Sequence, residues 1–149
     1  MTNNVSAVMD DAYNYSMWVE VYNKSTTTSY NLSSFFFTDN LAEPKKWAPS
    51  STTISAGGYG LLYFERSEIA GHANFKLNPE GGLLYLINNS SQVVDSVKYP
   101  AQYRNISYGR KSDGENLWVF FDTYSPKTSN NNKAWAAKRC GNPVFSPAG

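Results

Sequence analysis

Short runs of β-branched and aromatic residues recur along this chain, and most are separated by clusters of Gly, Pro, Asn or Ser. That rhythm leaves little choice of fold, because such runs suit a pleated, half-buried surface and such clusters supply turns. Strands are expected near 5 to 9, 17 to 23, 34 to 38, 59 to 64, 83 to 88, 92 to 99, 106 to 109 and 117 to 121. This is the spacing of an all-β sandwich. The 15% aromatic content, with eleven Tyr, agrees, and no helix-length amphipathic pattern occurs before residue 130.

The turns are equally informative. "SAGGYG" and "NPEGG" each place adjacent glycines before an apolar strand, and "NNSSQ" links "LLYLIN" to "VVDSVKY" as an expected hairpin. Within "VVDSVKY", Val93, Asp95, Val97 and Tyr99 alternate with Val94, Ser96 and Lys98. Asp95 is thereby expected on the apolar face, satisfied by a nearby hydroxyl or backbone N–H. "SDGEN" reads as a turn rather than a calcium loop, since it lacks the length and alternate oxygens of an EF-hand.

Chemistry-bearing constellations are sparse. Cys140 is the single cysteine, so no internal disulfide can form, and it is expected to be an incidental tail residue. His72 is the single imidazole; residues 74 to 76 offer Asn, Phe and Lys rather than metal ligands, and it is expected to pack or hydrogen-bond in a loop. The carboxylate pairs Asp10 with Asp11 and Glu65 with Glu68 are expected to be solvated strand ends. No P-loop, nucleophile elbow or Cys/His framework is present in the sequence, and the expectation is a protein without catalytic residues, metal or cofactor.

A formal charge of +1, with "EPKK" and "AAKRC" as the densest basic clusters, disfavours nucleic acid as a partner; Arg104, Arg110 and Lys111 are too few for a phosphate stripe. No apolar run approaches the length of a membrane span, so no membrane insertion is expected, and the first residues do not form a signal peptide.

From Val5 to Asn130, the ordered segments "VSAVM", "WVEVYNKSTTTSYNLSSFFFTDN", "TTISAGGYGLLYF", "NFKLNPEGGLLYLINNSSQVVDSVKYP", "ISYGR" and "DGENLWVFF" resemble the lamin tail domain. The resemblance implies an immunoglobulin-like β-sandwich. The chain departs from the family pattern at "NLSSFF", at "TYSPKTS", and at Ser6 and Ala7, where a carboxylate is usual. Glu20 and Asn23 occupy the family's E-x-x-N positions and Arg110 ends "SYGR". From this follow the structural expectations: Trp18 buried, Asn23 opening a polar turn, and a Glu20–Arg110 ion pair tying two strands.

The resemblance also divides the chain into a lamin-tail-like domain at 1–129 and a linker at 130–149. That linker is expected, from its Ala-rich stretch, to carry a turn or two of helix, and it ends in "NPVFSPAG", which is similar to the start of a chitobiase-type C-terminal β-module. Bacterial domains of this kind resemble accessory modules, so the chain is expected to be a piece of a larger exported or cell-surface protein whose signal peptide lies outside it. The leading functional expectation is a non-catalytic interaction or spacer module, with neighbouring domains of the same polypeptide, a protein or a polysaccharide as partner. The alternative is a carbohydrate-binding module using exposed aromatics, with Trp47, Tyr103 and Trp135 as candidates.

Overall fold

A computed structural model describes residues 1–67, 69 and 71–138. Cys140 and the "NPVFSPAG" segment, like Glu68, lie outside the described residues. Nine strands form: β1 Trp18–Tyr22, β2 Tyr30–Asn31, β3 Phe35–Thr38, β4 Thr53–Ile54, β5 Tyr59–Tyr63, β6 Gly81–Asn88, β7 Val93–Pro100, β8 Ser107–Arg110 and β9 Trp118–Phe121. All pairings between them are antiparallel: β1 with β5, β2 with β4, β6 with both β3 and β7, and β8 with β9. The fold is all-β, as the turn rhythm demands.

Two layers face each other across the main core. Val19 and Val21 of β1 and Leu62 of β5 meet Phe37 of β3, Leu84 and Leu86 of β6, and Val97 and Tyr99 of β7. At its centre Phe64 is fully buried and meets three aromatic rings, with centroids 6.1 Å from Phe37, 5.5 Å from Trp47 and 5.2 Å from Phe75. All three contacts are edge-on, the geometry that the ring quadrupole favours. Gly60, opposite Val21, lets Ile54 close on the sheet: a Cβ there would stand 2.6 Å from Ile54 Cδ1.

The β1–β5 ribbon is covered on its second face as well. Trp18 and Tyr63 are cross-strand partners and pack with Met1, Ala7, Val8, Leu61 and Tyr124. Trp18 is buried, as the sequence leads one to expect.

The first expected strand does not form. Residues 5 to 9 bend instead, because Asn4 Oδ1 accepts hydrogen bonds from the backbone N–H of Ala7 and Val8, while its amide donates to the Val8 and Ser16 carbonyls. An asparagine that serves its own neighbours removes the donors a ladder would need. Strands β2 and β4, two residues each, arise where none is expected.

The alternation in β7 is also interrupted. The register shifts so that Leu86 pairs with Asp95 and Ile87 with Val93, leaving Val94 as an extra residue. A bulge of this kind spoils the two-face pattern locally. Val93 and Val94 are both half exposed, while Val97 and Tyr99 keep to the core.

In the stretch 130–138, no helix occurs among the described residues, and Ala136 forms an antiparallel bridge to Phe120 of β9. This differs from the helical turn expected there, since Ala136 exchanges backbone hydrogen bonds of 2.9 Å with Phe120.

Phe64→Ala is expected to cost about 3–5 kcal/mol, because a buried ring touching three others leaves a cavity its rigid neighbours fill poorly. Urea denaturation of both proteins measures it; a loss under about 1 kcal/mol would show that the ring cluster collapses readily.

Candidate functional site

A groove of about 950 Å³ lies against β1, β7 and the β8–β9 hairpin. Its walls include Val19, Val21, Leu84, Val97, Tyr108 and Trp118. Its charged side chains come from separate segments: Glu20, Lys24, Asp95, Arg110 and Asp113. Concave apolar walls with convergent polar groups are the usual composition of a ligand site. Tyr108 and Trp118 stack with centroids 5.8 Å apart and planes at 21°, and the Arg110 guanidinium lies 4.6 Å from the Trp118 ring centroid.

The charged groups are paired differently from the sequence expectation. Arg110 does not meet Glu20. Its Nη2 donates to both oxygens of Asp95, at 2.8 and 2.9 Å, and its Nη1 donates to the Glu115 carbonyl at 2.7 Å. Asp95 thus finds a guanidinium as well as the Ser96 N–H, at 2.8 Å, rather than the hydroxyl or N–H alone. The reason is strand geometry: Glu20 sits on the face of β1 that carries Trp18 and Tyr22, covered by the 124–130 segment, and accepts a hydrogen bond from the Lys127 backbone N–H.

Glu20 is consequently an unusual carboxyl. Burial pushes its pKa up to about 7, with the Asp113 charge adding to the effect; the Lys127 N–H and the Met1 amine oppose it. Asp113 behaves oppositely. Burial pushes it up, but hydrogen bonds from Ser129, Tyr59 and the Asn130 N–H outweigh that and hold it below the usual carboxylate range. The Tyr59 hydroxyl donates to Asp113 at 2.7 Å, and burial, with that bond, raises the phenol to about 12. Asp113 therefore stays charged beside a Glu20 that is half neutral near pH 7.

Asn23 behaves as expected. Buried at the end of β1, its amide donates to the Thr28, Ile54 and Ser55 carbonyls, and its Oδ1 accepts from the Ser25 N–H. It fixes the polar turn against β4.

A second cluster joins residues that the sequence reading kept apart. Asp10, expected to be solvated, is 5% exposed and meets Ser16 Oγ at 2.5 Å; Ser16 also meets Glu65, which contacts His72 Nδ1. His72 is 3% exposed and its ring packs on Tyr63 at 5.0 Å, so it does pack and hydrogen-bond as expected. Asp10, Glu65 and His72 bring their ligand-type atoms within 4.8 Å of one another, a donor set that suits a divalent cation such as zinc or manganese. The same contacts close on themselves as a latch between the N-terminal segment and the loop after β5. Burial raises the Asp10 carboxyl, but bonds from Ser16, Asn14 and Ala12 more than compensate and hold it below its ordinary pKa. A search confined to neighbours of His72 in sequence could not find these partners; the short parallel bridge between Tyr63 and His72 brings them together.

The aromatic candidates are dispersed. Trp47 is half-buried against Phe37 and Phe64 and bridges Phe37, so it anchors its loop to the core. Tyr103 is 42% exposed and leans edge-on against Phe120; Trp135 is 44% exposed with the Lys111 ammonium 4.9 Å from its ring. The stacked pair in the groove, Tyr108 and Trp118, was not singled out by the sequence, where both read as ordinary strand residues. No family model, curated protein or solved structure matches the chain.

The raised Glu20 pKa fixes the sign of a pH effect. Between about 4.5 and 7 the folded state holds this proton more tightly than the unfolded chain, so the contribution is present at low pH and is lost as pH rises through 7. Glu20→Gln is therefore expected to match the parent near pH 4.5 and to exceed its stability at pH 8 by about 1–2 kcal/mol, after discounting for partial exposure. Denaturant melts at the two pH values measure this; equal stability at pH 8 would mean that Glu20 ionises normally.

Proposed function

We propose that this chain is a non-catalytic recognition module of a larger exported or cell-surface protein, of the lamin-tail, immunoglobulin-like kind that its sequence resembles. The observation that carries this reading is the 950 Å³ groove, where apolar walls meet the charged groups of Glu20, Lys24, Asp95, Arg110 and Asp113. Such a module binds a neighbouring segment of its own polypeptide or a partner protein and so positions the domains around it.

A carbohydrate-binding role is the second reading, favoured by one observation. Tyr108 and Trp118 are half-buried aromatic rings on the groove wall, where a sugar ring could lie against them. Tyr103 and Trp135 offer further exposed aromatic surface, whereas Trp47 is committed to the core. Nucleic acid fits least: the net charge is +1, Arg110 is neutralised by Asp95, and Lys111 covers Trp135.

Calorimetric titration against soluble polysaccharides, extended peptides and duplex DNA at low salt separates these readings. Saturable binding of a peptide or glycan that is lost in Val97→Arg, which fills the groove, is the expected result. Binding that survives this substitution, or tight DNA binding with a steep salt dependence, would overturn the groove-based reading.

A further inference from the structure

Resting on the recognition-module reading, we propose that the groove takes an extended polypeptide strand, which pairs antiparallel with the outer edge of β1 and places a basic side chain opposite Glu20.

Backbone hydrogen bonds alternate in direction along β1. The Phe64 N–H donates to the Met17 carbonyl at 2.8 Å, and the Asn23 N–H donates to the Gly58 carbonyl at 2.9 Å. Met17 and Asn23 thus turn their backbone groups toward β5. Because an antiparallel ladder alternates, Val19 and Val21 do the same, and Trp18, Glu20 and Tyr22 turn theirs the other way. All five residues of β1 line the groove, and since β5 fills the inner edge, the groove wraps around this outer one.

One rung of a ladder on this edge already exists. The Met1 amine donates to the Trp18 carbonyl at 2.8 Å, and the Trp18 N–H donates to the Met1 carbonyl at 3.0 Å. This reciprocal pair is the signature of two antiparallel strands in register. A strand continuing from that rung along β1 would next exchange bonds with Glu20 and then Tyr22. Among the described residues no strand occupies this edge, and β1 pairs with β5 alone. An edge with outward donors and acceptors above an apolar trough is what strand addition uses.

Charge specifies the occupant. In an antiparallel pair, side chains directly opposite share a face, so the incoming residue facing Glu20 projects beside that carboxyl. Asp113 reinforces the negative field there; the Met1 amine and Lys127 charges oppose it without an ion pair to Glu20 among the described residues, and Arg110, the groove's own guanidinium, is committed to Asp95. A Lys or Arg at that position gains a partner, and a carboxylate is repelled. The trough walls, Val19, Val21 and Tyr108 among them, favour apolar residues at the alternate positions.

The test uses ten-residue peptides alternating Val and Thr, in one series with Lys and in another with Glu at the position opposite Glu20. Fluorescence anisotropy gives affinity, and amide hydrogen exchange shows where the peptide lies. Binding of the Lys peptide at least tenfold tighter than the Glu peptide is expected, with new protection at the Glu20 and Tyr22 amides. N-methylation of alternate peptide residues tests pairing directly: methylating those that face β1 should abolish binding, and methylating their neighbours should not. In Glu20→Gln, which keeps the side chain's shape, the Lys preference should vanish while binding persists. Failure of every peptide, indifference to which set is methylated, or protection only on β7 or β8 would each overturn the strand proposal. If glycans bind in the groove and peptides do not, the strand inference falls while the recognition-module reading stands.

Discussion

Strand β1 is the constraint on which the rest of the structure turns. Both of its faces are covered: Val19 and Val21 point into the main core, and Trp18, Glu20 and Tyr22 point into a second layer made by Met1, Tyr63 and the 124–130 segment. The backbone groups of a strand point along the sheet rather than out of its faces, so β1 satisfies them at its edges. Its inner edge does so through β5 over its whole length. Its outer edge does so at Trp18 and then opens on the groove. The cavity beside β1 is thus the consequence of a strand placed where one neighbour is built in and the other edge is left for a partner.

The two faces of β1 also divide the chemistry. The core side is purely apolar and aromatic, organised around Phe64, and it determines stability. The opposite side contains a carboxyl whose ionisation is made costly by burial, together with a hydrogen-bonded carboxylate, Asp113, whose ionisation is made easy. These opposite shifts have one origin. The Asp113 carboxylate accepts from three donors, Tyr59, Ser129 and the Asn130 backbone N–H, and its own backbone N–H donates to Asn131 Oδ1, so the local loop is tied down; the Glu20 carboxyl accepts from one. The number of donors, rather than depth alone, decides which acid stays charged.

Much of this was legible in the sequence, and what was not has identifiable physical causes. The runs around β1, β3, β5, β6, β7, β8 and β9 announce themselves because their period matches the pleat and Gly or Asn clusters close them. The run at 5 to 9 has the same apolar pattern, yet Asn4 diverts its donors, and a pattern of side chains carries no record of where backbone bonds go. Strands β2 and β4 are two residues long, too short for any period to show. The Glu20–Arg110 expectation placed two charged residues on neighbouring strands without knowing which face each occupies. The pleat of β1 puts Glu20 on the face covered by Lys127, and the β7 bulge leaves Asp95 exposed for Arg110. The Asp10–Ser16–Glu65–His72 latch was invisible for a different reason, since its parts come from the N-terminal segment and the loop after β5, and only the fold sets them side by side.

The N-terminal segment links the latch to the groove. Asp10 and Ser16 fasten the N-terminal segment to Glu65 and His72 beyond the end of β5. The Asn4 amide donates to the Ser16 carbonyl, and the Asn105 side chain holds the same segment by accepting from the Val5 and Ser6 N–H groups. Held at these points, the segment delivers Met1 to Trp18 with its backbone aligned for a rung of antiparallel ladder. The latch therefore does more than add stability: it fixes the direction and register in which β1's open edge can be extended. A chain that wanted β1 merely capped could have ended the contact with a turn or a proline, whereas here the donors and acceptors of Glu20 and Tyr22 remain aligned above an apolar trough. Structure of that kind is costly to leave exposed unless something binds there, and the acid at its centre selects what that is.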